Sequence, residues 1–191
     1  MSTMFYKDEV NPWAYWDKVF TPAECKKIID IATKKGKIDA EIGNKADGII
    51  DKNIRNNKIV WLHETDIPWV YETIAPKIIS LNERFFRFDL DGIIEQMQFT
   101  EYNAPDNNYV AHVDRAMNML PRKLSISIQL TNPKKYEGGE LELINSHNPE
   151  VMKKDQGYMV AFPSFTLHKV NPVTKGTRHS LVIWVSGKQF K

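Results

Sequence analysis

"GIIEQMQFTEYNAPDNNYVAHVD", residues 92–114, is where the chain changes texture. Two short runs rich in Tyr, Val, Phe and Thr flank a turn-forming centre, the pattern of strands rather than of a helix. The same texture continues in "KLSISIQL" (123–130), "GELELI" (139–144), "YMVAF" (158–162), "LHKV" (167–170) and "RHSLVIWV" (178–185). No helical period intervenes, so the series predicts an antiparallel sandwich or barrel. With a further strand ending in "IVWL" (59–62), roughly eight strands are expected.

Upstream, "FTPAECKKIIDIATKKG" (20–36) predicts a helix: Thr21 as N-cap, Pro22 at the first helical position, Glu24 completing a capping box, Gly36 as the stop. Ile28, Ile29 and Ala32 supply its apolar stripe. A second helix is expected to begin at Asp66, with Pro68 in its first turn and Trp69, Ile74, Ile78 and Leu81 facing the core. The stretch between, "GIIDKNIRNNKIVWL" (48–62), reads as extended. The fold class is therefore mainly β (α+β), with helical support over about residues 1–90 and a β core over about 92–187. At 191 residues, and with no repeat or linker, the chain reads as one domain.

Composition narrows the chemistry. The charge of +2 is weak and the lysine pairs are scattered, which does not describe a polyanion track. "NERFFRFDLDG" (82–92) could be imagined as a base-stacking surface, but a helix end leading into a core strand is the simpler reading, so a nucleic-acid partner is unsupported. A single cysteine, Cys25, excludes an intrachain disulfide framework and Cys-rich metal sites. Any bound metal must use His and carboxylate. There is no apolar segment at the N-terminus of the signal type, and runs such as "LVIWV" are too short to span a bilayer, so an intracellular protein without a membrane partner is expected.

His112 and Asp114 lie two apart. On a helix they would point about 200° away from each other, whereas on a strand they share a face at roughly 7 Å. They can meet at one ion only if "YVAHVD" is extended, and a third ligand must come from elsewhere. His63 precedes the second helix and reads as a capping or surface residue. His147 is in a turn, and His179 alternates with Leu181, Ile183 and Val185 on an apolar face. That leaves His168, just after an apolar strand and a Pro-Ser turn. Two histidines and a carboxylate with open positions fit a non-haem Fe(II) oxygenase, although a zinc hydrolase could use the same set. Arg178 separates the two. It lies ten residues beyond His168, on what reads as the next strand after a loop containing Pro172 and Gly176. Its always-charged fork could anchor the far end of a dicarboxylate whose near end chelates iron.

With "EYNAPDNNYVAHVD", "KLSISIQLTNPKKYEGGELEL" and "GYMVAFPSFTLHKVNPVTKGTRHSLVIWV" in place, the sequence resembles the iron(II) and 2-oxoglutarate-dependent oxygenases, in the prolyl 4-hydroxylase-like branch that includes the PKHD-type hydroxylases. The resemblance covers about residues 92–186. It implies a double-stranded β-helix (jelly-roll or cupin-like) core, iron held by His112, Asp114 and His168, and 2-oxoglutarate held by Arg178 with help from Tyr102. It also implies O₂ as oxidant, names ascorbate as a candidate further cofactor, and brings release of succinate and CO₂. Two departures accompany it: "YNAPDNNY" lacks the glycine often found between its tyrosines, and the chain stops at "SGKQFK" without the extension common in PKHD-type proteins. Animal members usually carry Lys in place of Arg178, so the likeness is to bacterial or viral proteins. Because Asp114 fills its position, hydroxylation is expected rather than halogenation.

The expected reaction is hydroxylation of a prolyl residue in a peptide or protein. A free amino acid, small metabolite or alkylated nucleic acid is the alternative substrate, and a non-catalytic β-barrel binding module the alternative class. Tyr109 and Trp184 could line the pocket or the core. Ser125, Ser127 and Gln129 could face the cavity and receive no role. Substrate contacts are expected on loops near 36–53, 103–108 and 115–122.

Overall fold

The computed structural model describes residues 11–41, 50–114 and 121–189. In chain order the elements are β1 (Ala14–Trp16), α1 (Pro22–Lys35), β2 (Ile38–Asp39), β3 (Arg55–Asn56), β4 (Lys58–Leu62) and α2 (Pro68–Leu81). After one π-turn over Asn82–Phe86 come β5 (Leu90–Gly92), β6 (Met97–Asn103), β7 (Asn107–His112) and β8 (Arg122–Gln129). The chain then runs through β9 (Tyr136–Gly138), β10 (Leu141–Leu143), β11 (Glu150–Val151), β12 (Met159–Pro163) and β13 (His168–Gly187). Thirteen strands thus occupy the described residues where about eight were expected, because several two- and three-residue pairings carry too little sequence to show a period.

One antiparallel layer has the order β1-β12-β8-β13-β6-β4-β2. Facing it, β13 also pairs with β7, β9 and β10, while β3 adds to β7 and β11 to β10. The two layers share β13, and the result is the mainly β jelly roll expected from the sequence. Period-two alternation sorts the side chains. Leu124, Ile126 and Ile128 of β8 and Leu181, Ile183 and Val185 of β13 face α1 and α2 in one buried cluster. Val160 and Phe162 of β12 turn the other way, joining Tyr102, Leu143, Val170 and Val173 between the layers.

The first helix forms as its sequence dictates. The Thr21 hydroxyl accepts the Glu24 N–H (3.3 Å), the Glu24 carboxylate accepts the Thr21 N–H (2.7 Å), and Cys25, Ile28 and Ala32 are buried. The second begins at Pro68, two residues later than expected. Asp66 does not cap it, because its carboxylate is taken by the His63 N–H (2.8 Å) and by Lys35. Ile74, Ile78 and Leu81 are buried in the core as expected, the half-buried Trp69 packs against it, and Val70 joins them.

A second correction concerns the site directly. His168 and Arg178 do not lie on successive strands joined by a loop; both belong to β13. Val173, Lys175 and Gly176 keep main-chain partners in β9, so the Pro172–Gly176 stretch stays in the ladder. The register shifts between His168 and Val170, Val170 and Val173, and Val173 and Lys175, and Gly176 has φ +71°. Such irregularities bend a strand.

Candidate functional site

Three segments converge at the mouth of the layers. β7 ends at His112, and its partner directly across the ladder is His168, the first residue of β13. Asp114 lies just beyond the strand, where its N–H donates to the Ser164 carbonyl (3.0 Å) in the β12–β13 turn. Each imidazole is fixed by the same local device. Nδ1 of His112 donates to the Val110 carbonyl (2.8 Å) and Nδ1 of His168 to the Thr166 carbonyl (2.9 Å), so both Nε2 atoms are left as lone-pair donors. Nε2 of His112 is 3.7 Å from Asp114 Oδ1, and Nε2 of His168 is 3.5 Å from Oδ2. One ligand atom from each residue fits within 4.8 Å of the others, a group able to hold a metal ion.

Burial and neighbours set the charges. Burial, reinforced by the adjacent His168, pushes His112 down to about 4, so its ring is neutral at physiological pH. Burial alone would raise the Asp114 carboxyl; His168 and His112, with the Ser125 hydroxyl and the Trp184 indole, outweigh it and hold the group below the usual carboxylate range. A negative oxygen donor beside the neutral His112 imidazole suits a divalent cation. Ring packing steadies the set: Tyr109 stacks on His112 with centroids 3.5 Å apart, and Phe162 meets His168 edge-on at 4.8 Å.

The triad opens into a cavity of about 560 Å³, which Arg178 also lines. A straight strand would carry residues ten apart roughly 33 Å from each other, so the bends in β13 are what bring His168 and Arg178 to one cavity. Arg178 is 1% exposed. Its Nε donates to Gln129 Oε1 (3.2 Å), while its Nη1 has no hydrogen-bond partner although fully buried. The Thr100 hydroxyl, on the same cavity, is likewise buried and unpaired. A buried donor left unmet is costly, and an anionic acceptor at this end of the cavity would satisfy it. Tyr102 is the cross-strand partner of Arg178, with its ring 5.2 Å from the guanidinium carbon; burial pushes its phenol up, keeping it a neutral donor. Gly139 is required here, since a Cβ would lie 2.9 Å from Arg178 Cδ at φ +66°.

All five residues singled out from the sequence thus line one cavity. Ser180, Val182 and Trp184 share it with Arg178, while His179 is on the opposite face beside Glu101 (3.1 Å) and Thr131 (2.9 Å), as alternation required. His63 and His147 are exposed. Ser125 and Gln129, expected on the cavity face without a role, and Arg122, not singled out, all contribute. The Ser125 hydroxyl donates to Asp114 Oδ2 (2.6 Å), Gln129 holds Arg178, and the Arg122 guanidinium, clasped by Glu95, donates to the Asp114 main-chain oxygen (3.2 Å). Alternation in "KLSISIQL" places Ser125 and Gln129 on the cavity face, but only the fold tells which partners they meet. The 115–120 part of the expected substrate loop, and residues 42–49 of another, lie outside the described residues.

The family model of the 2OG-Fe(II) oxygenase superfamily matches residues 97–186. A PKHD-type hydroxylase of Picosynechococcus is 30% identical over 169 residues, covering 88% of this chain and 75% of the relative. One from Nitrosomonas eutropha is 34% identical over 114 residues, covering 56% of this chain but only 50% of its own length. Among solved structures, a Pseudomonas putida prolyl-4-hydroxylase superposes with TM-score 0.73 at 18% identity, covering 93% of this chain and 94% of that one.

Proposed function

We propose, for a chain that belongs to the PKHD-type hydroxylases of the 2OG-Fe(II) oxygenase superfamily, an Fe(II)- and 2-oxoglutarate-dependent dioxygenase that hydroxylates an unactivated C–H bond. The substrate we assign is a prolyl residue in a peptide or protein, with succinate and CO₂ released. The observation that carries the reading is the joining of a His, Asp, His group and a buried, under-satisfied arginine in one cavity.

His112, Asp114 and His168 would hold the iron, and Arg178, with Tyr102, would hold the distal carboxylate of 2-oxoglutarate. Bound together, iron and the 2-oxo acid would supply the activation of O₂ that no side chain can provide. The chain's own part is placement and exclusion of water. Gln129 holds the guanidinium through its Nε, and Gly139 leaves room for the Arg178 side chain. Ser125 and Arg122 fix Asp114 from its side chain and its main chain. Tyr109, Phe162 and Trp184 give the triad apolar walls, which strengthen its electrostatics and keep solvent from the reacting centre.

Arg178→Ala should weaken 2-oxoglutarate binding by about 100-fold, the loss of a buried charge-assisted pair, while Mn(II) affinity measured by calorimetry stays within about threefold. His112→Ala should abolish Mn(II) binding and succinate release from 2-oxoglutarate with Fe(II) in air. Equal loss of metal and 2-oxoglutarate in Arg178→Ala would overturn the assignment of that residue. Wild-type protein that binds neither would overturn the function.

A further inference from the structure

Two arginines besides Arg178 line the cavity, and they differ in one respect. Arg122 is neutralised by Glu95, which it grips through Nε (2.6 Å) and Nη2. Arg55 has no carboxylate within ion-pair distance among the described residues. Its three contacts are neutral oxygens: Asn57 Oδ1 (3.0 Å) from Nε, the Glu41 main-chain carbonyl (3.2 Å) from Nη1, and Gln98 Oε1 (2.6 Å) from Nη2. Glu41, an exposed residue, meets it through its main-chain oxygen. The guanidinium is therefore aimed but not neutralised. Three of its five N–H donors are used, and two remain.

Its place is also specific. β3 pairs with β7 so that Arg55 lies opposite Tyr109, with its guanidinium carbon 4.7 Å from that ring. Tyr109 in turn stacks on His112. One aromatic ring thus separates this positive charge from the triad. A guanidinium is always charged and presents a fork matched to a carboxylate, so one held with spare donors in a cavity is a receiver for an anion.

We propose that Arg55 receives a carboxylate of the substrate, which makes the substrate an acid: a peptide with an acidic side chain beside the hydroxylated residue, or a small molecule with its own carboxylate. The assignment rests on the reading of the cavity as an oxygenase site, and deepens it. The test uses full-length protein loaded with Mn(II) and 2-oxoglutarate, so that the probes are not consumed. Two matched pairs serve as probes: N-acetyl-prolyl-glutamate amide against its glutamine counterpart, and N-acetyl-proline against N-acetyl-proline amide. By calorimetry at least one acid should bind about tenfold more tightly than its amide, the worth of one charge-assisted pair; the pair that discriminates identifies the source of the carboxylate. In Arg55→Gln the preference should vanish, and in Arg55→Lys it should be reduced but retained. Equal affinity of acid and amide for both pairs, no binding of either acid at millimolar concentration, or a preference that survives Arg55→Gln would overturn the proposal. The wild-type comparison stands even if a variant misfolds. Wild-type binding of Mn(II) and 2-oxoglutarate, measured first in the same samples, separates failure of this proposal from failure of the oxygenase reading.

Discussion

At Asp114 the Ser125 hydroxyl donates to Oδ2, the oxygen nearer His168, leaving Oδ1 on the side of His112. Ser125 is itself 3.0 Å from the Ser164 hydroxyl, and Ser164 accepts the Asp114 N–H on its main-chain oxygen. The carboxylate is therefore turned before any cation arrives. Ser125→Ala should lower Mn(II) affinity by about tenfold, within the range for removing a group that orients a ligand, with no more than a small change in melting temperature. Unchanged affinity by calorimetry would remove Ser125 from the site. The proposed ligands stood out in the sequence because the chain has only five histidines, and two of them, His112 and His168, stand at telling intervals from Asp114 and Arg178. Ser125 did not, because a serine on a strand resembles any other until its cross-layer partner is known, and Arg55 did not, because its meaning lies in a missing counter-charge.

Between β6 and β13, Glu101 gathers His179, Lys37 and Asn103 around its carboxylate, on the face away from the cavity. The His179 hydrogen bond, against the cost of burial and helped by Lys37 and Asn103, brings it down to about 2 from an ordinary 4.5. A depressed carboxyl contributes stability in full above its unfolded value and loses it as the group is protonated in the native state. The contribution, at most roughly 3 kcal/mol, should therefore be complete above about pH 4.5 and fade as pH falls from there toward 2. Urea midpoints between pH 7 and pH 3 should show that decline, and Glu101→Gln should be less stable at pH 7 with a flatter acid limb. Parallel limbs would refute the assignment. At this scale α1 was legible because its capping box is local, and the core strands because period two is local. The start of α2 and the continuity of β13 were not: Asp66 is diverted by Lys35, and Val173, Lys175 and Gly176 are held in the ladder by β9, both contacts distant in sequence.

Taken whole, the molecule sets helices against one face of a sheet and a cavity on the other, and α1, α2, β8 and β13 share a single buried cluster. A cation in the triad would bind the folded chain alone and so stabilise it. At a free concentration 100 times the dissociation constant the gain is about 2.7 kcal/mol, which for a chain of this size raises the melting temperature by roughly 5–10 °C. Saturating Mn(II) should produce that rise and excess chelator should reverse it, whereas His112→Ala should show neither. The jelly-roll class was legible as a run of short alternating strands. Its closure was not, because β13 serves both layers and no local pattern reveals a strand shared between two sheets. That sharing makes β13 a pair of calipers. One jaw is His168 and the other Arg178, and their gap is fixed by the bends between them rather than by the meeting of separate elements. Diacids one carbon shorter or longer than 2-oxoglutarate would be gauged against a covalent span, and selectivity for chain length would then reside in the backbone.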